Sequence, residues 1–131
     1  MLLVDTNIIL DVLTDDPNWA EWSITALEKN ESRGLAINPA VYAELSFGFD
    51  SREELDSVIR QFGLTYVKTS RDGLFKAAQA FKNYKLEGGG RNFVLPDFFL
   101  GGHAEAASCS ILTRDVKMYN SFFSSVPLIC P

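Results

Sequence analysis

Short strand-like segments recur along the chain, separated by sequence patterned for helices, and this alternation most constrains what the chain can fold into. The segments are Met1–Val4, Leu35–Ile37, Leu64–Val67, Cys109–Leu112 and Pro127–Cys130. Apolar runs this short, without a polar face, suit strands covered on both sides, which is the condition of a parallel sheet in an α/β protein. The intervening helices carry their own start and stop signals. Asp16-Pro17 and Asn38-Pro39 pair a cap residue with proline at the first helical position, Ser51-Arg52-Glu53-Glu54 is a capping box, and Ser70 is a further cap. Gly34 and Gly63 mark helix ends. A helix is expected to open at Pro96-Asp97, and a last one to run from Asp115 to Phe123. The sum is an α/β fold: a compact three-layer sandwich with a central, mainly parallel five-stranded sheet flanked by about seven helices. At 131 residues and 47% hydrophobic content it forms one domain, 1–131, able to bury a core unaided. The glycine-rich stretch Glu87–Asn92 is too short for a linker and reads as a mobile loop.

Cys109 and Cys130 have no partner at metal-ligand spacing and cannot form a disulfide framework, so reduced thiols are expected. Met1–Val4 ends at Asp5 with no basic segment before it, and no apolar run is long enough to span a membrane. A cytoplasmic protein is expected.

The net charge of −5 argues, by itself, against a polyanionic partner. It hides an asymmetry: residues 1–56 carry 12 acids and 3 bases, whereas residues 57–131 carry 5 acids and 9 bases.

In open α/β sheets, sites lie outside the carboxyl ends of strands. Asp5 follows the first strand, Asp115 follows the fourth, Asp97 opens a helix behind the glycine loop, and Glu44 lies in the helix after the second strand. Singly, each has a structural explanation: Asp5 and Asp97 as caps, Asp115 as a cap or a partner for Arg114, Glu44 facing a lysine. Four carboxylates at one sheet edge repel one another, and a divalent cation resolves that repulsion. Oxygen-only ligands suit Mg²⁺ or Mn²⁺.

The ordered set Val4-Asp5-Thr6-Asn7-Ile8-Ile9, Ala43-Glu44-Leu45, Pro96-Asp97-Phe98-Phe99-Leu100-Gly101-Gly102-His103-Ala104 and Leu112-Thr113-Arg114-Asp115 resembles a PIN domain. More narrowly it resembles the VapC-type toxins of toxin–antitoxin pairs, and the likeness runs the length of the chain. The resemblance implies a PIN-like fold and an Mg²⁺- or Mn²⁺-dependent endoribonuclease. Asp5 and Asp97 would be the principal ligands. Glu44 and Asp115 would complete the site in part through water, and Asn7 and Thr113 would hold its hydrogen-bond network. A water-derived nucleophile would attack phosphorus in line with the leaving 3′ oxygen, leaving 5′-phosphate and 3′-hydroxyl ends. It also implies a homodimer, a small antitoxin partner, and an RNA substrate of the tRNA, rRNA or mRNA class.

Candidate backbone contacts for RNA are Arg91, Lys85 and Arg114, with Lys76 and Lys82 favoured as solvated helix residues. His103 reads as a structural histidine, and Gly101-Gly102 as a close helix–sheet approach. Phe98, Phe99, Phe122 and Phe123 read as core or as part of a dimer face. The alternative function is a catalytically silent PIN-like module that binds RNA or protein. Without the four site acids the balance is 13 acids to 12 bases, so the acidic pI does not exclude RNA.

Overall fold

The computed structural model describes all 131 residues. Strand β1 (Leu2–Val4) leads to α1 (Thr6–Leu13) and α2 (Ala20–Asn30), then β2 (Leu35–Ile37). Helices α3 (Pro39–Ser46) and α4 (Arg52–Gln61) precede β3 (Thr65–Tyr66), and α5 (Arg71–Leu86) and α6 (Phe99–Ala107) precede β4 (Ser110–Leu112). Helix α7 (Val116–Phe122) and β5 (Leu128–Ile129) complete the chain. The sheet order is β3-β2-β1-β4-β5, and every neighbouring pair is parallel.

All three residues of β1 and all three of β2 are buried. Successive strand side chains point to opposite faces, so burial at every position means that both faces are covered. This is the layered arrangement the apolar runs imply, with the sheet parallel throughout. The chain first winds from β1 to β2 to β3, then crosses back to β4 and β5. The winding reverses between β1 and β4, and the carboxyl ends of these two strands form the crevice where α/β sheets place their sites.

Local signals act where the sequence puts them, with shifts at the boundaries. The Asn38 and Ser51 side chains cap α3 and α4 by accepting from Val41 and Glu54 N–H, and Ser70 caps α5 through Gly73. Gly34 and Gly63 take positive φ, 79° and 69°. The Asp16 side chain accepts from Asn18 and Trp19 N–H, both at 2.9 Å, and so caps a turn; regular α2 begins only at Ala20. The expected helix at Pro96 is a 3₁₀ turn, Leu95–Phe98, that runs into α6. Strand β3 is shorter than expected, spanning only Thr65–Tyr66, although the Val67 N–H still bonds the Ile37 carbonyl at 2.9 Å.

The glycine loop is tied down rather than loose. The Gly90 carbonyl accepts from the Tyr84 hydroxyl and from Lys85 Nζ, at 3.2 and 2.9 Å. Gly101 and Gly102 permit close approach, but not to the sheet. A Cβ on Gly102 would strike the Gly73 carbonyl and Ala77 of α5, and one on Gly101 would strike the Phe123 ring. Phe98 and Phe123 are fully buried, and Phe99 and Phe122 pack against the same core, so these rings belong mainly to the interior. His103 is buried, its Nδ1 2.9 Å from the Thr69 hydroxyl, and burial lowers its pKa. It stands apart from the acidic pocket, as a structural histidine. Cys109 is buried, Cys130 is partly so, and both are free thiols. No helix is long and apolar enough to cross a membrane.

Candidate active site

Asp5 is the first residue beyond β1, and its backbone N–H continues the ladder by bonding the Leu112 carbonyl at 2.9 Å. Its side chain caps α1, taking Thr6 N–H at 2.8 Å, as its structural explanation requires. One carboxylate oxygen does more than a cap needs. Oδ2 also accepts from the Thr113 hydroxyl at 2.7 Å, the Tyr119 hydroxyl at 3.0 Å and Asn7 Nδ2 at 3.4 Å. Donors on α1, on α7 and beyond β4 thus fix one carboxylate. Burial raises the Asp5 pKa above its ordinary 3.8, against the opposing pull of the Thr113, Tyr119 and Thr6 bonds, and the Asp115 charge adds to the rise.

Thr113 is fully buried and works in two directions, since its oxygen also accepts the Asp115 N–H at 2.9 Å. Asn7 links the same elements. Its amide donates toward Thr113 at 3.4 Å, and its oxygen takes the Arg114 N–H at 3.2 Å. Asn7 and Thr113 are hydrogen-bonded to each other and to Asp5.

The other acids reach the same place from other elements. Asp97 sits in the 3₁₀ turn and reaches back to Val94 N–H at 2.7 Å, so its structural explanation also holds in part. Glu44 is two turns into α3 and meets no lysine. Burial raises its pKa, followed by the charge of Asp5 and, more weakly, that of Asp97. Asp115 occupies the cap position of α7 but makes no capping bond, and Arg114 is bound elsewhere. Asp5, Glu44, Asp97 and Asp115 line one pocket of about 330 Å³, with Thr6, Asn7, Asn92 and Tyr119 also on its walls.

A hydrated cation fits this donor set. No three acidic side chains close into a ready-made cage of ligands. They ring the pocket, an arrangement that suits Mg²⁺ or Mn²⁺, which keep several waters and take few direct carboxylates. The Thr6 hydroxyl, on the same wall, is the one buried side-chain oxygen without a hydrogen-bond partner. It lies near enough to Glu44 to hold that carboxyl down slightly, without ordinary bonding geometry. An orphaned hydroxyl beside mutually repelling carboxylates is a site with capacity for a further polar occupant.

Arg114, a candidate for phosphate contact, is paired with Asp11. Its guanidinium bonds both carboxylate oxygens at 2.7 and 2.8 Å and lies 4.9 Å from the Trp19 ring. Lys85 is exposed, but its ammonium is held by the Gly90 carbonyl and lies over Phe81. Arg91 is exposed beside Asn92 and has no ion-pair partner.

Three participants lay outside the sequence expectations. Tyr119 is buried against Asp5, and burial followed by the Asp5 charge raises its pKa well above the ordinary 10.0. Asp11 reads in sequence as one acid on a helix face. Lys117 lines a cavity that shares Asn92, Phe93 and Asp115 with the acidic pocket. Its signal was available: a base two residues beyond a candidate ligand.

The PIN domain family profile matches residues 2–121. Solved structures of similar fold include VapBC2 from Rickettsia felis bound to a DNA fragment from their promoter (TM-score 0.77, 20% identity, covering 99% of this chain and 98% of the other). DNA-bound VapBC from Salmonella typhimurium follows (0.75, 17%, 98% and 96%). FitAcB from Neisseria gonorrhoeae is also similar (0.70, 19%, 98% and 96%). No curated protein sequence matches the chain. The neighbours are toxins of VapBC and FitAB toxin–antitoxin complexes, and at these identities they establish the fold alone. With the family profile spanning nearly all of its length, the chain belongs to the PIN-domain family.

Proposed function

We propose that this protein is an endoribonuclease dependent on Mg²⁺ or Mn²⁺, and the toxin of a type II toxin–antitoxin pair. The observation that carries the reading is the gathering of Asp5, Glu44, Asp97 and Asp115, from four separate segments, around one pocket at the switch point of the sheet. Burial raises the pKa values of Asp5 and Glu44, and the charge of a neighbouring acid, Asp115 for Asp5 and Asp5 for Glu44, adds to the rise. Such perturbed acids in a cleft are the mark of a functional site.

Asp5 and Asp97 are assigned as the principal ligands of the cation, with Glu44 and Asp115 completing its surroundings partly through water. A bound divalent cation supplies the charge that makes water a competent nucleophile at neutral pH and offsets charge on the phosphate oxygens. The chain's own contribution is orientation. Thr113, Tyr119, Asn7 and the Thr6 N–H fix the Asp5 carboxylate before any ligand arrives. Asp115 and Glu44, exposed at the rim, accept hydrogen bonds from water entering the pocket. Lys117, on the adjoining cavity, and the exposed Arg91, next in sequence to the pocket residue Asn92, are assigned as cations for the RNA backbone.

The partners follow the same reading: an RNA substrate, a second copy of the chain, and a small antitoxin whose basic side chain enters the acidic pocket, all in the cytoplasm. Structural neighbours carry antitoxin partners in their complexes, which supports this assignment. The test is cleavage of structured RNA by purified protein with Mn²⁺, beside the Asp5→Asn and Asp97→Asn variants. The expected result is cleavage by the wild type, ended by EDTA and absent from both folded variants. Folded wild type that neither binds Mn²⁺ by calorimetry nor cleaves RNA refutes the proposal.

A further inference from the structure

The Asp11–Arg114 ion pair lies outside the pocket, yet Arg114 stands between two site residues, Thr113 and Asp115. Asn7 and Asp11 are four residues apart on α1 and therefore share a face. They grip residue 114 at both ends. Asn7 Oδ1 takes its backbone N–H at 3.2 Å, and Asp11 takes its guanidinium through two bonds of 2.7 and 2.8 Å. Asp11 is itself buried and steadied by the Ser23 hydroxyl of α2 at 2.7 Å, while Trp19 lies against the guanidinium at 4.9 Å. A two-pronged guanidinium–carboxylate contact fixes orientation as well as distance. The loop it fixes carries the Thr113 hydroxyl to Asp5 and the Asp115 N–H to Thr113.

We propose that Asp11 and Arg114 are positioning residues of the active site: the pair clamps the loop after β4 onto α1 and so sets Thr113 and Asp115 relative to Asp5. This inference rests on the nuclease reading of the pocket. It also reassigns Arg114, whose guanidinium is spent on Asp11 and is not the phosphate contact that its place beside Asp115 suggests.

The test uses Asp11→Asn and Arg114→Lys, with Ser23→Ala as a milder variant that keeps both charges. Partners that orient metal ligands commonly cost roughly ten- to a hundred-fold in affinity or activity when altered. The expected result for Asp11→Asn and Arg114→Lys is a kcat loss in that range at nearly unchanged KM for RNA. Mn²⁺ affinity, measured by calorimetry without RNA, falls in parallel. The amides of Arg114 and Asp115 exchange hydrogen faster, while those of Ile111 and Leu112 in β4 do not. Ser23→Ala shows a smaller change in the same direction, and it carries the test if the charge variants do not fold.

A lower melting temperature with unchanged kcat, Mn²⁺ affinity and exchange overturns the inference, because the pair is then merely structural. A raised KM in Arg114→Lys beside an unaffected Asp11→Asn also overturns it, in favour of a phosphate contact. Wild type that fails both to bind Mn²⁺ and to cleave overturns the nuclease reading, and this inference with it; active wild type beside unaffected variants overturns only the clamp.

Discussion

Replacing Thr113 by valine tests the hydrogen-bond logic of the pocket without altering a carboxylate. The side chain is fully buried, and valine nearly matches its shape, so the change removes one hydroxyl and little volume. Two short bonds disappear, together with the weak 3.4 Å contact from Asn7 Nδ2. The 2.7 Å bond to Asp5 is to an ionised group when Asp5 is charged, worth about 1.5–3 kcal/mol. The Asp115 N–H loses its 2.9 Å acceptor in a partly buried position, at about 1 kcal/mol, the low end for an orphaned donor. The total is about 2.5–4 kcal/mol. At an unfolding entropy of about 2.1 cal/mol/K per residue, a 131-residue chain loses roughly 9–15 °C in melting temperature.

The pH dependence sharpens the test. The Thr113 bond lowers the Asp5 pKa, whereas burial raises it further, so the folded value lies above 3.8. Valine removes that lowering, so Asp5 titrates higher still in the variant, and the charge-assisted part of the bond is fully present above the variant's folded value. It is lost as pH falls from that value to the wild type's folded value, both above 3.8. Urea unfolding of both proteins, at about pH 8 and again near pH 4, measures the difference directly. A difference below about 0.5 kcal/mol at the higher pH would show that the hydroxyl is not holding a charged Asp5. A difference that does not shrink in acid would show that the partner is not ionising.

Asp5→Asn is expected to abolish Mn²⁺-dependent cleavage while matching or exceeding the wild-type melting temperature, because asparagine still caps α1 and the buried charge is gone; calorimetry with parallel RNA assays checks both. Mn²⁺ binding is expected to weaken as pH falls below neutral, earlier than for ordinary carboxylates, since protons compete at Asp5 and Glu44, whose pKa values lie above 3.8 and 4.5. The metal-free protein shows the opposite trend: these two groups bind protons more readily folded than unfolded, so their contribution to stability falls as pH rises through the window from those ordinary values to the raised ones. Titrations of Mn²⁺ binding and of thermal unfolding across that range check the two signs. Gly102→Ala is expected to destabilise by about 1–3 kcal/mol or more, read by urea unfolding, because its Cβ meets the Gly73 carbonyl and Ala77 where α6 crosses α5.

Elements whose signals are local were legible in the chain. Asn38, Ser51 and Ser70 cap the helices they precede because a cap needs only its own oxygen and an N–H three residues on. The strand-end acids were legible for a similar reason: a parallel α/β sheet directs the residues after its strands to one edge. The boundaries moved where competing local geometry won. Asp16 closes a turn before α2, and Pro96 lies in a tight turn rather than regular helix. The glycine loop gave no sign that Tyr84 and Lys85 would hold it.

By itself, then, the sequence determined a parallel α/β fold, its order of elements, and four acids that must be reconciled at one edge. Only the tertiary structure decided what each polar group meets. Asp11 and Arg114 are separated by 103 residues, and Tyr119 lies 114 residues from Asp5. Periodicity and capping act within a few residues and do not encode such pairs. Packing does, by bringing α1 against the loop after β4 and placing α7 over the end of β1. There the Arg114 guanidinium meets Asp11, and the Tyr119 hydroxyl donates to the Asp5 carboxylate.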